Sequence, residues 1–149
     1  VNDLGPEECR AVLDEGRVAH IAVVSEGEPY VTPMSYVMRG EDFVFRTITG
    51  RRIEALRANP RVCVEVTIDG PEGWRSVLFW GTARFLDDAR LESEIIGDLL
   101  AKYHSNSLFG ASTPTGYAQE RVVVAVTPER LGGRASGTGL HSQSRPGRL

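Results

Sequence analysis

The chain has 149 residues, 41% of them apolar and 25% charged, which suits one domain with a substantial core and shows no composition shift that marks a second. A net charge of -3 and a pI near 5.6 argue against nucleic acid as the main partner. No apolar run approaches membrane-span length and no signal-like segment is visible, so the expectation is a cytoplasmic protein with no membrane partner.

In chain order, Gly5-Pro6-Glu7-Glu8 reads as a helix start and Gly16 as its end. Val18 to Val24 alternates as a strand, residues 25–28 turn, and Pro29 to Met38 follows as a second strand. After a turn at 39–42, Phe43 to Thr47 is a third. Arg51 to Ala58 is a short helix stopped by Asn59-Pro60, because proline disfavours the helical region for the residue before it. Arg61 to Ile68 resumes as a strand, and residues 69–73 turn. Trp74 to Leu86 is long enough to be a bent strand, with Gly81 as a bulge or close-approach point. Asp87 and Asp88 cap a helix whose Leu91, Ile95, Leu99 and Tyr103 form one apolar stripe. A polar loop from His104 to Gln119 precedes a last strand, Val122 to Thr127, with a prolongation toward Leu131. From Gly132 the chain turns Gly-, Ser- and Arg-rich and loses its core pattern, which predicts a mobile tail. The folded domain is drawn over 1–135 and the tail over 136–149. Six strands joined mostly by tight turns, with helices between them, predict a mainly β fold, a closed or partly closed antiparallel barrel.

The stretch from Phe45 to Pro60, FRTITGRRIEALRANP, carries the most chemistry. A strand stops at Thr-Ile-Thr-Gly, two arginines follow and a helix begins. Gly50 is expected to supply an unusual φ for a sharp turn. Thr47, Thr49 and the first-turn N–H groups of the helix converge as donors, and Arg51 and Arg52 add forked positive charge that matches phosphate oxygens. A solvated basic helix start is the alternative. Cations at a helix N-terminus are unfavourable unless an anion binds there, and this favours a phosphate cradle.

The remaining inventory is mostly negative. Metal-protease, nucleophile-elbow and nucleotide-loop motifs are missing. Cys9 and Cys63 lack metal or disulfide spacing, and no metal site is expected. His20, His104 and His141 fall in a strand, a loop and the tail, and His20, on a face with Val18, Ala22 and Val24, reads as a barrel-wall or interface histidine. With no nucleophile or acid/base pair evident, the catalytic residues stay unassigned, and a bound cofactor is the expected carrier of reactivity.

Phe45-x-Thr47, the Gly50-Arg51-Arg52 turn and Asn59-Pro60 resemble the FMN-phosphate segment of the pyridoxamine 5′-phosphate oxidase-like, FMN-binding split β-barrel family. Glu8-Cys9 through Gly16-Arg17 is similar to the family's opening helix, and Gly27-Glu28-Pro29 with Val31 to Tyr36 to its first hairpin. Gly73 to Val77, leading to Gly81-Thr82-Ala83, resembles its flavin-facing strand. The resemblance, spanning about residues 4–131, implies a six-stranded antiparallel split β-barrel and a homodimer with FMN in the groove between subunits. It further implies that Arg46, Thr47, Arg51 and Arg52, with Thr49, serve the phosphate and ribityl end, and that Pro33, Met34, Ser35 and Tyr36 run past the ring edge. Ser76 and Val77 would supply contacts from the neighbouring strand, and Trp74 would stack near the ring or close the barrel end. The oxidases' Arg-x-His pair is replaced here by Gly139-Leu140-His141, so true pyridoxamine phosphate oxidase activity is not expected. The layout is closer to the nitroimidazole reductase-like branch. The resemblance thus implies a flavin-dependent oxidoreductase acting on a small aromatic or nitroaromatic acceptor; an F420-dependent reductase or a non-catalytic flavin- or haem-binding protein are the alternatives.

Overall fold

The alternation of apolar side chains sets the walls of the fold. In Ala19–Ser25 (β2), Ala19, Ile21, Val23 and Ser25 are buried while His20 and Val24 face outward, the period-two pattern of a half-buried strand. A computed structural model describes residues 1–104 and 120–137 of the chain. Residues 105–119 of the loop expected from His104 to Gln119, and the residues beyond 137, His141 among them, lie outside the described residues.

Eight strands are present among the described residues, two more than expected. Asn2–Leu4 (β1) precedes the helix Pro6–Glu15 (α1), and the expected strand Pro29 to Met38 divides into Glu28–Met34 (β3) and Val37–Arg39 (β4). Asp42–Ile48 (β5) leads into the helix Arg51–Ala58 (α2), then Arg61–Gly70 (β6), Gly73–Leu86 (β7), the helix Ala89–Tyr103 (α3) and Arg121–Ala135 (β8). The last strand corrects the tail reading. Gly132 to Ala135 belong to β8 and pair with β7 on one side, and Gly133 to Ala135 pair with β1 on the other.

All pairings are antiparallel, in the order β3-β2-β6-β7-β8-β5-β4. The two ends of this order, β3 and β4, are consecutive in the chain and separated only by Ser35 and Tyr36. Three peptide steps of about 3.8 Å each hold Met34 and Val37 within about 11 Å. The sheet therefore curls until its edges nearly meet, and the chain, not a hydrogen-bond ladder, joins them. This seam is what makes the barrel split.

Inside it pack Ile21, Met34, Tyr36, Phe43, Phe45, Val64 and Phe79, all fully buried. Tyr36 stacks on Phe43 at 4.6 Å between centroids, and Phe79 meets Phe43 edge-on at 5.5 Å. The α1 side chains Cys9, Val12 and Leu13 and the α2 side chains Ile53 and Leu56 join the same core. On the outside, α3 lays Ile95, Leu99 and Tyr103 over Val37, Val44, Val123 and Ala125, with Asp88 Oδ1 capping the Arg90 and Leu91 N–H groups at 2.9 and 3.1 Å. β5 is thus covered on both faces.

The C-terminal turn of α3 fastens the seam link. Tyr103 donates its hydroxyl to the Arg17 carbonyl at 2.7 Å and accepts the Tyr36 N–H at 3.0 Å. Lys102 Nζ donates to the Tyr36 carbonyl at 3.1 Å and stands 3.8 Å above its ring. Burial, reinforced by Arg17, pulls the Lys102 ammonium down to about 8, while burial pushes both tyrosine hydroxyls up. Gly81 is both the bulge and the close approach expected of it. The β7–β8 register shifts between Trp80 and Gly81, and a Cβ at Gly81 would lie 2.6 Å from the Thr127 carbonyl oxygen. No helix among the described residues is long and apolar enough to cross a membrane.

Candidate functional site

The seam and α2 build the first part of the site. β4 pairs with β5 only as far as Val44, so Phe45 to Ile48 have β8 as their one strand neighbour among the described residues. β3 likewise pairs on one side only. Arg52 bridges this gap. Its Nε donates to Thr32 Oγ1 of β3 at 2.7 Å, a second donor reaches the same oxygen, and Nη1 donates to Thr47 Oγ1 of β5 at 3.1 Å. Arg51 lies beside it, donating from Nε to Ser25 Oγ at 2.9 Å, with its guanidinium 4.4 Å from the Tyr30 ring centroid.

These two arginines differ from six others of the chain and share with Arg17, Arg57 and Arg130 the lack of a carboxylate partner among the described residues. Arg10, Arg39, Arg46, Arg61, Arg75 and Arg84 each pair with a carboxylate within 3.0 Å. Among the described residues Arg51 and Arg52 have no carboxylate partner; hydroxyls and a ring hold them instead. Burial lowers the pKa of Arg52, a cost that a bound anion would offset. The first turn of α2 also lacks a side-chain cap, and the helix dipole adds a partial positive charge there. Gly50 corrects one expectation. Its φ is 167°, extended backbone and not a strained turn, and a Cβ there would meet nothing within 4 Å, so the approach to the helix start is open.

Not every proposed contact gathers here. Thr47 is buried at the cradle, and Thr49 fixes the incoming chain through its N–H to the Glu120 carbonyl at 3.0 Å. Arg46, one residue before Thr47, projects from the opposite face and pairs with Glu92 of α3 at 2.9 Å. Met34, Ser35 and Tyr36 have buried side chains, and the Tyr36 hydroxyl donates to the Leu13 carbonyl at 2.7 Å. Pro33 is exposed on the β3 edge. Sequence reading missed Thr32, Ser25 and Tyr30, the partners of the arginines. Their signal was the alternation in β3, which places Tyr30 and Thr32 on the same face as Met34.

The second part lies on the outer face of β7. Val77 points into the core, whereas Trp74, Ser76, Leu78 and Trp80 alternate outward. With Gly132 and Arg134 of β8 they line a groove of about 590 Å³. Opposite Leu78 stands Gly132, whose missing side chain leaves room beside Leu78, while the Arg130 guanidinium lies 4.1 Å from the Trp80 ring centroid. Thr32 shares a cross-strand row with Ile21, Val64 and Phe79, so the cradle belongs to the inner side of the wall and the groove to its outer side. No group of three or more His, Cys, Asp or Glu among the described residues could hold a metal.

Comparison with known proteins identifies the family and the fold. The family profile described as pyridoxamine 5′-phosphate oxidase matches residues 5–135. The structure is similar to that of an FAD-binding protein from Mesorhizobium loti, with a TM-score of 0.72 and 28% identity over 90% of this chain and 95% of the other. A proposed 5-nitroimidazole antibiotic resistance protein from Bacteroides thetaiotaomicron shares the fold at a TM-score of 0.68 and 17% identity, covering 89% of this chain and 86% of that one. In sequence, the chain is 28% identical over 82 residues to the uncharacterized protein RA0666 of Rhizobium meliloti. That match spans 54% of each protein, about half the length of the curated relative.

Proposed function

The chain belongs to the pyridoxamine 5′-phosphate oxidase family, and from that premise we propose that it binds a flavin nucleotide, FMN in the first instance, as an oxidoreductase for a small aromatic or nitroaromatic acceptor. The observation that carries this is the pair Arg51 and Arg52, two adjacent guanidiniums without a carboxylate partner among the described residues, held across the seam by Ser25, Thr32 and Thr47. Three of the five N–H donors of Arg52 serve the threonines, and two remain for phosphate oxygens. The residues therefore fit the phosphate end of such a cofactor. A flavin supplies hydride chemistry, and the protein's part is to bind, orient and shield it. Arg51 and Arg52 hold the anion. Trp74, Leu78 and Gly132 offer an apolar surface for a ring, and Ser76 one hydroxyl at its edge.

The same geometry supports a homodimer. β3 and β7 are three strand spacings apart, about 14 Å, and the cradle and the groove occupy opposite sides of the wall. One chain cannot bring both to a single flavin, whereas two chains related by a two-fold axis can pair the cradle of one with the groove of the other. The exposed Trp74 and Leu78 beside the groove supply apolar area for that contact. The Mesorhizobium loti likeness favours FAD as a second reading of the cofactor.

Equilibrium titration of the purified protein with FMN, FAD, F420 and haem tests the proposal. Saturable binding of FMN or FAD, with a flavin absorption band that bleaches and returns on reduction and exposure to an acceptor, is the expected result. Tight F420 binding without flavin binding would replace it with the deazaflavin reading.

A further inference from the structure

Beside the groove, a polar cluster runs across three strands of the outer wall. The Glu65 carboxylate is its hub. Glu65 Oε2 lies 3.0 Å from His20 Nδ1, while Oε1 accepts the Thr67 hydroxyl and stands 3.4 Å from Ser76 Oγ. Ser76 Oγ is also 3.0 Å from Thr67 Oγ1. The register imposes this arrangement, because β2, β6 and β7 are neighbours, His20 is opposite Glu65 and Thr67 is opposite Ser76. On its other side His20 faces Pro33, so Glu65 is the one charged group directly opposite it on the strands paired with β2. The cluster therefore reaches from a half-exposed imidazole, 51% accessible, to a serine that lines the groove.

The donor count gives this row a direction. An ionised carboxylate only accepts, so the His20 hydrogen toward Glu65 is on Nδ1 and Nε2 is left to exchange with water. Thr67 has one hydroxyl hydrogen and gives it to Glu65. The Ser76 hydrogen is then available to Glu65 or to a group in the groove.

We propose that His20, Glu65 and Ser76 form a proton-transfer line from solvent into the groove, with Thr67 as the residue that positions Glu65. The proposal rests on the reading of the groove as the place of the flavin ring and its acceptor. An acceptor that takes a hydride from the reduced cofactor must also take one proton. Ser76 gives up its hydroxyl proton to the acceptor and regains one from the Glu65 carboxyl; Glu65 takes the Nδ1 proton of His20 at Oε2 and turns its carboxyl to present that proton to Ser76, and His20 gains one from water at Nε2. Exchange with water returns the imidazole to its starting tautomer. The sum is one hydride from the cofactor and one proton from solvent.

Two measurements on FMN-loaded protein test this. In the first, protein photoreduced without oxygen is mixed with menadione or nitrofurazone from pH 5 to 9, and return of flavin absorbance is timed. His20→Ala is expected to slow the reaction at least about tenfold, the low end for a lost proton donor, with recovery on adding free imidazole. Glu65→Gln is expected to slow it without such recovery. In the second, NMR follows the His20 ring protons through a pH titration, and the midpoint is expected to move on FMN loading in the parent but not in Ser76→Ala. If His20→Ala binds FMN normally, keeps the parent rate at every pH, and His20 titrates alike with and without FMN, the line does not exist. If the parent binds no flavin, the proposed function falls, and this inference with it.

Discussion

Replacing Arg52 by alanine separates phosphate recognition from a purely structural role. The guanidinium links β3 to β5 through Thr32 and Thr47, and two of its donors remain for a ligand. A hydrogen bond to a charged group contributes about 1.5–3 kcal/mol, and 1.4 kcal/mol is a factor of about ten in affinity. Arg52→Ala is therefore expected to raise the Kd for FMN about tenfold to a hundredfold. Riboflavin has the same ring and no phosphate, and its Kd should change by less than about twofold. Arg52→Lys keeps the charge and loses the fork, so it should fall between the two. Fluorescence-quenching titrations of both ligands supply the numbers, and thermal melts of the ligand-free variants establish that each is folded. Equal losses for FMN and riboflavin would refute the reasoning, because Arg52 would then act only by holding the seam.

Arg46→Ala removes an ion pair with Glu92 on the far side of β5, so it should cost less than about 1 kcal/mol of stability and weaken FMN binding far less than Arg52→Ala, both read by the same titrations and melts. Between about pH 8 and 10 the Lys102 contribution to stability should rise, because Lys102 titrates at about 8 in the fold and above 10 when unfolded, so the unfolded chain binds more protons there; the Cys9 and Cys63 thiols, raised by burial, act in the opposite sense. Above pH 10 the sign reverses, since Tyr36 and Tyr103 are raised in the fold and the unfolded tyrosines lose protons first; Lys102→Met should remove the rise and leave the fall in a pH series of melts. Gly81→Ala places a Cβ 2.6 Å from the Thr127 carbonyl oxygen, and denaturant unfolding should show a loss of about 1–3 kcal/mol. Light scattering at micromolar concentration with FMN present should give twice the 16.3 kDa chain mass; a monomer would contradict the shared site.

The parts of the fold that depend on local pattern were readable in the sequence. The stripe through Ile95, Leu99 and Tyr103 located α3, and the break at Gly50 followed by Arg51 and Arg52 located the start of α2. Partners brought in by tertiary structure were not readable as pairs, since Thr32 lies 20 residues from Arg52 and the alternation in β3 gives only the face Thr32 occupies. Gly132 and Gly133 looked like tail because glycine carries no core pattern. Yet a Cβ at Gly133 would come within 2.8 Å of Cys9 Sγ, so this glycine is where α1 settles on the sheet. The direction of Arg46 was available from parity, because a strand that turns Phe43, Phe45 and Thr47 to one side turns Val44 and Arg46 to the other.

The open edge at β3 has a further consequence. Of its seven residues, Pro29 and Pro33 have no N–H to offer, which an edge strand tolerates and a central one does not. A row of donors with two gaps is a poor template for any added strand. It resists zipping onto the unpaired stretch of β5 across the seam, and it equally resists recruiting β-strands from other molecules when the protein is crowded or partly unfolded. The same two prolines thus leave the seam beside Arg51 and Arg52 unpaired and guard the chain against fibril growth from this edge.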